Sequence, residues 1–171
     1  SYLKDGSQHG LNVNYVYQHE PLGIAQAINL CKRTVDKDFY VILGDNIFEN
    51  KIDFSNTKPA EIVLYSHEEW HRFGVALIEN NKIIRLKEKP QELEPCYEHY
   101  VVTGLYKFNE LFFEFYKNIV PSARGEYEIT DIIQQYLDND QLGYTFCSGL
   151  WNDAGTHTSL NYVSKYFLDK Q

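Results

Sequence analysis

The first third of the chain contains, in order, three patterns that predict a strand, a helix and a second strand. Apolar and polar residues alternate through Leu11–Tyr17, which is typical of a half-buried strand. Apolar residues recur at helical spacing within Gly23–Val35, and a continuous apolar run then leads through Phe39–Asp45 into a Gly-Asp-Asn sequence. Continuous apolar runs favour strands covered on both faces, and a strand, helix and strand in succession build parallel sheets. These segments predict the beginning of an α/β domain.

The remaining pattern predicts strands and helices up to the end of the chain. Further strands are expected at Glu61–Ser66, Phe73–Glu79, Lys82–Lys89, Tyr100–Phe108 and Leu142–Cys147. Helices are expected at Asn109–Ile119, Glu126–Asp138 and Ser159–Leu168, with a turn at Trp151–His157. Asn80 and Asn81 suit the two-residue turn of a β-hairpin. No repeat, low-complexity tract or linker interrupts the pattern, so residues 1–171 predict a single domain.

Composition and charge narrow the classes of protein and partner. The 171 residues are 43% hydrophobic and 23% charged, which is typical of a globular domain and excludes a disordered one. Sixteen Lys and Arg against 24 Asp and Glu give a net charge of −8, which disfavours a nucleic-acid backbone as partner but permits a local basic pocket for a phosphorylated small molecule. No apolar run approaches the roughly 20 residues of a membrane span. Three widely spaced cysteines suit free thiols in the reducing cytoplasm.

One motif resembles a zinc site but lies in an unsuitable context. His67, Glu68 and His71 match H-E-x-x-H, and Gly74 extends the match. The extended motif needs a third histidine where this chain has Leu77. The stretch is confined between two predicted strands, which leaves room for about one helical turn, too short to be stable. We therefore interpret it as a polar loop with two exposed histidines.

Two separate carboxylates are candidate ligands for a hard cation. Asp45 follows a predicted buried strand, at the edge of an α/β sheet where ligands commonly bind. Asp153 precedes Gly155 and two threonines before the last predicted helix. Mg²⁺ usually takes one or two carboxylates together with substrate phosphates. Each aspartate also has a structural interpretation, as a turn former or as part of a helix cap, and only the fold can bring them together.

Two further segments carry charges suited to a phosphorylated sugar. Glu88 and Lys89 close a predicted strand before Pro90, where glutamate could accept hydrogen bonds from sugar hydroxyls and lysine could neutralise a phosphate. The alternative is a solvated strand end at which proline stops the ladder. Arg124 stands beside a predicted helix start and could bind phosphate or pair with Glu126 or Glu128.

The order of these segments resembles a known family. The sequences DGSQHGLNVNYVYQ, GIAQA, LGDNIF, FGV, EKP, VTGLY, PSARGEYEITD and WNDAGTH occur in turn between Leu3 and Gln171. Together they resemble the bacterial sugar-1-phosphate nucleotidylyltransferases, and among these the glucose-1-phosphate thymidylyltransferases. PSARGE, EITD and LGDNIF are the specific parts of this resemblance, whereas EKP alone is not specific.

The resemblance implies a fold and a reaction. The expected fold is Rossmann-like, with a mixed, mainly parallel sheet flanked by helices and without the N-terminal strands of the family. In the expected reaction, a sugar 1-phosphate attacks the α-phosphorus of a nucleoside triphosphate. The favoured substrates are glucose 1-phosphate and dTTP. Pyrophosphate leaves and Mg²⁺ stabilises the developing charge. Enzymes of this kind commonly form homo-oligomers, so we expect one here.

The resemblance also implies a role for individual residues. Asp45 and Asp153 would bind the metal, and Gln18 and Gly23 would recognise the base. The sugar would contact the backbone at Gly74, the carboxylate of Glu88 through its hydroxyl groups, and a pocket lined by Val102 and Tyr106. Lys89 would place a cation on the sugar phosphate, and Arg124 would add positive charge near the phosphates. Lys89 and Arg124 would be the catalytic cations of this set.

The chain departs from the family pattern at several points. The family's glycine-rich phosphate loop, which ends in Thr-Arg-Leu, and the lysine after it have no counterpart here, so we expect an N-terminally truncated piece that is a poor catalyst alone. A catalytically silent domain that binds sugar nucleotide or assembles with partners is therefore the alternative. His19–Gly23 lacks the usual Ser-Pro-Asp, which leaves the base open. Asn152 and Ala154 replace the usual neighbours of Asp153.

Overall fold

The computed structural model describes residues 2–170, and most predicted elements are present in the predicted order. Ser1 and Gln171, the two ends of the predicted domain, lie outside the described residues. The helices are α1 (Ile24–Leu30), α2 (Leu111–Phe115), α3 (Ile129–Asp138) and α4 (His157–Leu168). The strands are β1 (Asp38–Ile42), β2 (Asn46–Phe48), β3 (Ala60–Tyr65), β4 (Gly74–Glu79), β5 (Lys82–Glu88), β6 (Glu98–Asn109), β7 (Leu142–Phe146) and β8 (Trp151–Asp153).

Six strands form one mixed sheet around the long strand β6. Strand β6 pairs antiparallel with β3 along one edge, and with β4 and β1 in succession along the other. Strand β5 extends the sheet beyond β4, and β7 extends it beyond β3 through a parallel pairing. The predicted α/β class and mixed sheet are confirmed. The expectation that parallel pairs predominate is wrong for the described strands, because the central strand accepts only antiparallel neighbours.

The predicted first strand does not form. Residues 11–17 form no strand, and Leu11 and Tyr17 expose 57% and 74% of their surface. An alternating pattern becomes a strand only when a neighbouring strand satisfies its backbone groups and one face is covered. Among the described residues no strand lies beside this segment, so the alternation predicted an element that lacks its partner here.

A second, two-stranded sheet replaces the predicted turn at Trp151–His157. Strand β8 pairs antiparallel with β2, with Asn46 opposite Asp153 and Phe48 opposite Trp151. The turn prediction was wrong over Trp151–Asp153 because the pairing partner lies about a hundred residues earlier, so no local pattern signals it. We call this pair of strands the clip.

The main core lies between the sheet and helices α1, α2 and α3. The spacing of apolar residues predicts a buried face of five side chains on α3. Four of them, Ile129, Ile132, Ile133 and Tyr136, are buried, and Leu137 is half-buried. The Tyr136 ring stacks on Phe108 at 5.7 Å, and its hydroxyl donates to Asn109 Oδ1 at 2.9 Å. Helix α3 begins at Ile129 rather than at the predicted Glu126, because Glu128 is still extended.

The opposite face of the sheet carries a smaller core. Along β4, Val75 and Leu77 point to this face and join Val101 and Trp151, whereas Ala76 and Ile78 join the main core. This period of two is the expected signature of a strand buried on both faces. Within residues 2–170, no helix combines the length and apolar character needed to cross a membrane.

Candidate active site

The clip brings the two predicted metal carboxylates together. Asp45 lies in the short turn between β1 and β2, and Asp153 is the last residue of β8. Because Asn46 pairs with Asp153, the two aspartates flank the same end of the clip, and the Ala154 amide donates to the Asp45 carbonyl at 2.7 Å. Pairing between remote strands thus places side by side two residues that the sequence could not connect.

One oxygen of each carboxylate faces the same small space. A Cβ built on Gly155 would lie 2.9 Å from Asp153 Oδ1 and 3.1 Å from Asp45 Oδ2. The backbone amide of Gly155 donates to Asp153 Oδ1 at 2.8 Å and holds that carboxylate in place. Two converging carboxylate oxygens form a donor set that suits a hard cation such as Mg²⁺, and the residues therefore fit the predicted ion.

Asn46 links Asp45 to the interior of the protein. Its Nδ2 donates to Asp45 Oδ1 at 2.9 Å. Its Oδ1 accepts the Gly104 amide at 2.8 Å and the Trp151 indole N–H at 2.7 Å. Asn46 is itself buried, so this network fixes the orientation of Asp45 through strand β6 and the clip at once.

A cavity of about 170 Å³ joins the carboxylates to a second set of predicted residues. Seven of the predicted site residues line it: Asp45, Gly74, Glu88, Lys89, Val102, Tyr106 and Asp153. After the role that the resemblance implies for most of them, we call the part of it formed by Gly74, Glu88, Val102, Tyr106 and Thr130 the sugar-side wall. All five belong to strands β4, β5 and β6 or to helix α3, so the wall is built on regular elements.

Close packing explains the glycine in this wall. A Cβ on Gly74 would lie 2.8 Å from Thr130 Cγ2 and 3.4 Å from Glu88 Oε2. The bare backbone at Gly74 therefore leaves room for both side chains at the surface of the cavity.

Glu88 is a half-buried carboxylate with several partners. The Thr130 hydroxyl donates to its Oε2 at 3.1 Å, and Arg124 Nη2 donates to its Oε1 at 3.3 Å. Burial raises the pKa of the Glu88 carboxyl, and the neighbouring Glu128 adds to the rise. The Thr130 hydrogen bond and the cations of Lys89 and Arg124 oppose this rise in pKa.

Arg124 lies behind Glu88 and does not line the cavity. Its guanidinium donates to both oxygens of Glu128, at 2.8 and 2.9 Å, and also lies within 3.5 Å of Glu126. Three carboxylates, counting Glu88, thus share its charge, and its hydrogen bond with Glu128 raises its pKa.

Lys89 adopts a strained backbone at the mouth of the cavity. Its φ is 40°, in the left-handed region that favours glycine. The Lys89 amide donates to the Phe73 carbonyl at 3.0 Å, and its Nζ lies 3.9 Å from Glu88 Oε1. Strain in a non-glycine residue often accompanies functional sites, where the surrounding structure maintains it.

The residues predicted to recognise the base lie at a separate cavity. This larger cavity of about 690 Å³ lies between α1 and β1 and is lined by Gln18 and Gly23 among others. Gln18 Nε2 donates to Gln26 Oε1 at 2.6 Å and to the Gly23 carbonyl at 3.4 Å. Gly23 has a φ of 99°, and a Cβ there would lie 2.7 Å from the Tyr127 carbonyl, so only glycine fits.

The sequence profile of the nucleotidyl transferases matches residues 1–170. The chain belongs to the nucleotidyl transferase family.

Curated relatives in this family carry two different names. The chain is 34% identical over 175 residues to a glucose-1-phosphate thymidylyltransferase of Neisseria meningitidis, covering 96% of this chain and 60% of the relative. It is 33% identical over 170 residues to the bifunctional protein GlmU of Methanococcus maripaludis, covering 99% of this chain and 40% of that relative. The chain therefore spans 60% and 40% of the lengths of these two nucleotidyl transferases.

Solved structures confirm the predicted α/β nucleotidyltransferase fold. A crystal structure of a candidate glucose-1-phosphate thymidylyltransferase from Bacillus anthracis, in complex with sucrose, matches with a TM-score of 0.86 and 42% identity. The match covers 96% of this chain and 69% of that one. A UDP-glucose pyrophosphorylase complexed with UDP-glucose matches with a TM-score of 0.79 over 100% of this chain and 74% of that one; at 21% identity it supports the fold alone.

Sequence reasoning missed several residues at this family's candidate site. Besides Asn46 and Gly155, these are Arg72, Thr130 and Trp151. Arg72 Nη2 lies 3.9 Å from Asp153 Oδ2, so a cation stands beside the carboxylate pair. Asn46 and Trp151 occur within the quoted motifs LGDNIF and WNDAGTH, but their hydrogen bond connects residues far apart along the chain and has no local signal.

The structure supports the loop interpretation of the H-E-x-x-H motif. Only Trp70–Arg72 forms a single 3-10 turn there, and His67 Nδ1 accepts the Glu69 amide at 3.0 Å. Among residues 2–170, no group of three or more His, Cys, Asp and Glu side chains is arranged to hold a metal. His71 is exposed as expected, but His67 is half-buried against Phe73 and Trp151, and burial lowers its pKa.

Proposed function

We propose that the chain carries the sugar-phosphate and cation site of an enzyme that transfers a nucleotidyl group from a nucleoside triphosphate to a sugar 1-phosphate. We favour dTTP and glucose 1-phosphate as substrates, since a relative at 34% identity and a structure at 42% identity bear the corresponding names. The observation that carries the proposal is a single cavity lined by both the carboxylate pair and the sugar-side wall.

The sugar-side wall would recognise the hydroxyl groups of the sugar. Glu88 offers carboxylate oxygens in a half-buried site, where hydrogen bonds to a charged acceptor are strong. The bare backbone at Gly74 allows close approach, and Val102 and Tyr106 provide apolar surface beside it. Because these groups are held by strands and a helix, they would bind the sugar with little rearrangement.

Lys89 would orient the phosphate of the sugar for in-line attack. A phosphate oxygen of the sugar 1-phosphate forms the new bond to the α-phosphorus as the bond from that phosphorus to the β-phosphate oxygen breaks. Pyrophosphate leaves with the electron pair, so the protein's task is alignment and charge compensation. Lys89 contributes a positive charge at the mouth of the cavity, and Arg124 would add charge once its carboxylate partners rearrange.

Asp45 and Asp153 would hold Mg²⁺ between them. When bound, this ion neutralises negative charge on phosphate oxygens during transfer. The two carboxylates already converge on one space, and Asn46 and the Gly155 amide fix their orientation. In the neighbouring cavity between α1 and β1, Gln18 and Gly23 would contact the base.

A sugar-nucleotide-binding or assembly domain without turnover is the second candidate. Arg124, one of the two proposed catalytic cations, is shared among three carboxylates in this structure. The glycine-rich phosphate loop of the family also has no counterpart among the 171 residues. In this alternative the cavity binds its sugar ligand but few groups compensate the triphosphate.

Turnover and binding assays separate these two candidates. In the protein as its gene encodes it, dTTP, glucose 1-phosphate and Mg²⁺ should give pyrophosphate release, which Asp153→Asn should lower at least about a hundredfold. Residues 1–171 alone should turn over poorly, since the phosphate loop is not among them. Asp36→Asn, an exposed aspartate outside both cavities, is the matched control and should retain the rate. Where the gene encodes residues beyond these 171, the longer protein decides whether the enzymatic proposal holds.

The outcomes of these assays distinguish the enzyme from the binding or assembly domain. Thermal stabilisation by dTDP-glucose without pyrophosphate release would favour the binding domain. The enzymatic proposal is wrong if neither this pair nor other triphosphates and sugar phosphates give turnover. Unchanged turnover in Asp153→Asn would remove Asp153 from the metal site.

We further propose that the protein acts in the reducing cytoplasm, which suits its three free cysteines, and that it forms a homo-oligomer, as the resemblance implies. Light scattering of the purified chain measures its mass in solution, and a monomeric mass would contradict the second part of this proposal.

A further inference from the structure

Gly155 occupies a position where its backbone does not demand glycine. Its φ lies outside the left-handed region, so alanine could adopt the same conformation. What an alanine would add is a Cβ 2.9 Å from Asp153 Oδ1 and 3.1 Å from Asp45 Oδ2. These separations are closer than ordinary contacts between a methyl group and oxygen, so a methyl group would push into the space that the two carboxylates face.

The carboxylates around this space have little freedom to move aside. Asp153 Oδ1 accepts the amide of Gly155 itself at 2.8 Å. Asp45 Oδ1 accepts Asn46 Nδ2, and Asn46 is held by the Gly104 amide and the Trp151 indole. An added methyl group would therefore either displace a fixed carboxylate or occupy the place between the two.

We propose that Gly155 is a positioning residue of the cation site, which keeps the space between Asp45 and Asp153 open and fixes Asp153 through its amide. This inference rests on the proposed function, since it concerns the cation assigned there to the two carboxylates. It assigns the glycine a role of its own: Gly155 does not contact substrate, and it acts through the two aspartates.

Gly44 provides a matched control on the other side of Asp45. It also lies outside the left-handed region, and a Cβ built there would meet no atom within 4 Å. Gly44→Ala and Gly155→Ala therefore add the same methyl group next to the same carboxylate site, and only the second one enters the space that the oxygens face.

The test is Mn²⁺ binding to the whole chain, followed by electron paramagnetic resonance of the free ion. We expect Gly155→Ala to weaken Mn²⁺ binding at least about tenfold while its melting temperature stays close to that of the wild type. Gly44→Ala should bind Mn²⁺ like the wild type. Asp45→Asn should also weaken binding and so show that the measured ion sits at the carboxylate pair.

The outcomes distinguish this inference from the proposed function. Unchanged affinity in Gly155→Ala, with Asp45-dependent binding in the wild type, overturns the role of Gly155 and leaves the cation site intact. Failure of the wild type to bind Mn²⁺, or binding that ignores Asp45→Asn, overturns the cation site itself and the inference with it.

A measurement on the unsubstituted chain covers the case in which Gly155→Ala does not fold. In nuclear magnetic resonance spectra, Mn²⁺ broadens the signals of nearby amides, and the Gly155 amide should be among the first to disappear. If it stays sharp while amides elsewhere broaden, the ion does not bind beside Gly155 and the inference is wrong.

Discussion

The sugar-side wall and the segment 11–23 are built in opposite ways. The wall lies on strands and a helix, its residues are buried or half-buried, and the Thr130 hydroxyl donates to Glu88 within it. The segment 11–23 has neither strand nor helix, and Leu11 and Tyr17 are mostly exposed. Its connections to the rest include a hydrogen bond from the Tyr127 amide to the Leu22 carbonyl at 2.8 Å and one from Gln18 Nε2 to Gln26 Oε1 at 2.6 Å.

This difference indicates that the sugar-side wall is preorganised for binding and that the segment 11–23 is less so. Side chains on regular elements keep their geometry without ligand, whereas a segment held by few contacts opens at low cost. We expect sugar phosphate to meet a formed pocket at the wall, and the base to order the segment that carries Gln18 and Gly23.

The largest expected difference between the two regions is in stability, when one apolar side chain is truncated in each. Ile132 is fully buried in α3 behind the wall, and Ile132→Ala should lower the free energy of unfolding by about 3 kcal/mol, from lost burial and a cavity. Leu11→Ala should change it by less than about 0.5 kcal/mol, because Leu11 is exposed. Urea denaturation measures both, and similar losses at the two sites would refute the contrast.

Substrate binding should also separate the two regions. Glu88→Gln removes a charged acceptor and should raise the KM for sugar phosphate about 10- to 100-fold, with little change in the KM for the triphosphate. Gln18→Ala should do the reverse, raising the KM for the triphosphate up to about tenfold. Steady-state kinetics with each substrate varied in turn gives both constants. A shift of both constants in either variant would mean that the regions act as one.

Backbone strain at Lys89 offers a smaller and more specific test of preorganisation. Lys89→Gly removes the side chain and relieves the left-handed strain, whereas Lys89→Ala removes the side chain and keeps it. The glycine variant should be the more stable of the two by about 1 kcal/mol, while both lose turnover equally, because both lack the cation. Equal stability in chemical denaturation would show that the backbone at this residue is not strained.

The smallest expected effect is a pH dependence of stability at the clip. The clip belongs to neither of the two regions but brings Asp45 and Asp153 together. Glu49 follows β2, and hydrogen bonds from Lys170, the Leu150 amide and Tyr166 lower its pKa to about 2. A lowered folded-state pKa stabilises the fold above the ordinary value of 4.5, and this stabilisation fades as the pH falls towards about 2.

Glu49→Gln should therefore melt below the wild type at pH 7, and the two should converge near pH 2. The exposed Glu92→Gln is the control and should follow the wild type throughout. Melting curves recorded across this pH range check the prediction, and a difference that persists at pH 2 would show that the charge of Glu49 is not its cause.

The fold could be predicted wherever a local pattern and its partner lie close together. The hairpin of β4 and β5 is an example, since Asn80 and Asn81 connect the strands with φ values of 50° and 60°, as a two-residue turn requires. The segment 11–17 is the counterexample, because its alternation is real but no neighbouring strand is described beside it. Local pattern shows what a segment can form, and a partner decides whether it does.

The candidate site shows the same limit. The motifs predicted Asp45, Glu88, Lys89 and Asp153 by resemblance, and the structure gathers them around one cavity. The groups that orient them could not be predicted, because the bond between Asn46 and Trp151 crosses 105 residues of chain. Arg124 was expected to bind phosphate or to pair with Glu126 or Glu128; the structure pairs it with both glutamates and also with Glu88, which the local sequence did not indicate.

The clip has a consequence for how the protein is made. Asn46 of one strand and Trp151 of the other lie 105 residues apart, so closing the clip costs loop entropy that contacts elsewhere in the domain must offset. During synthesis, Asp45 leaves the ribosome long before Asp153, and until residues 151–155 have emerged no half-made polypeptide presents both acids together. Pairing of these two short strands is thus a late step of folding, which delays assembly of the acidic pair until residues 151–155 have been made.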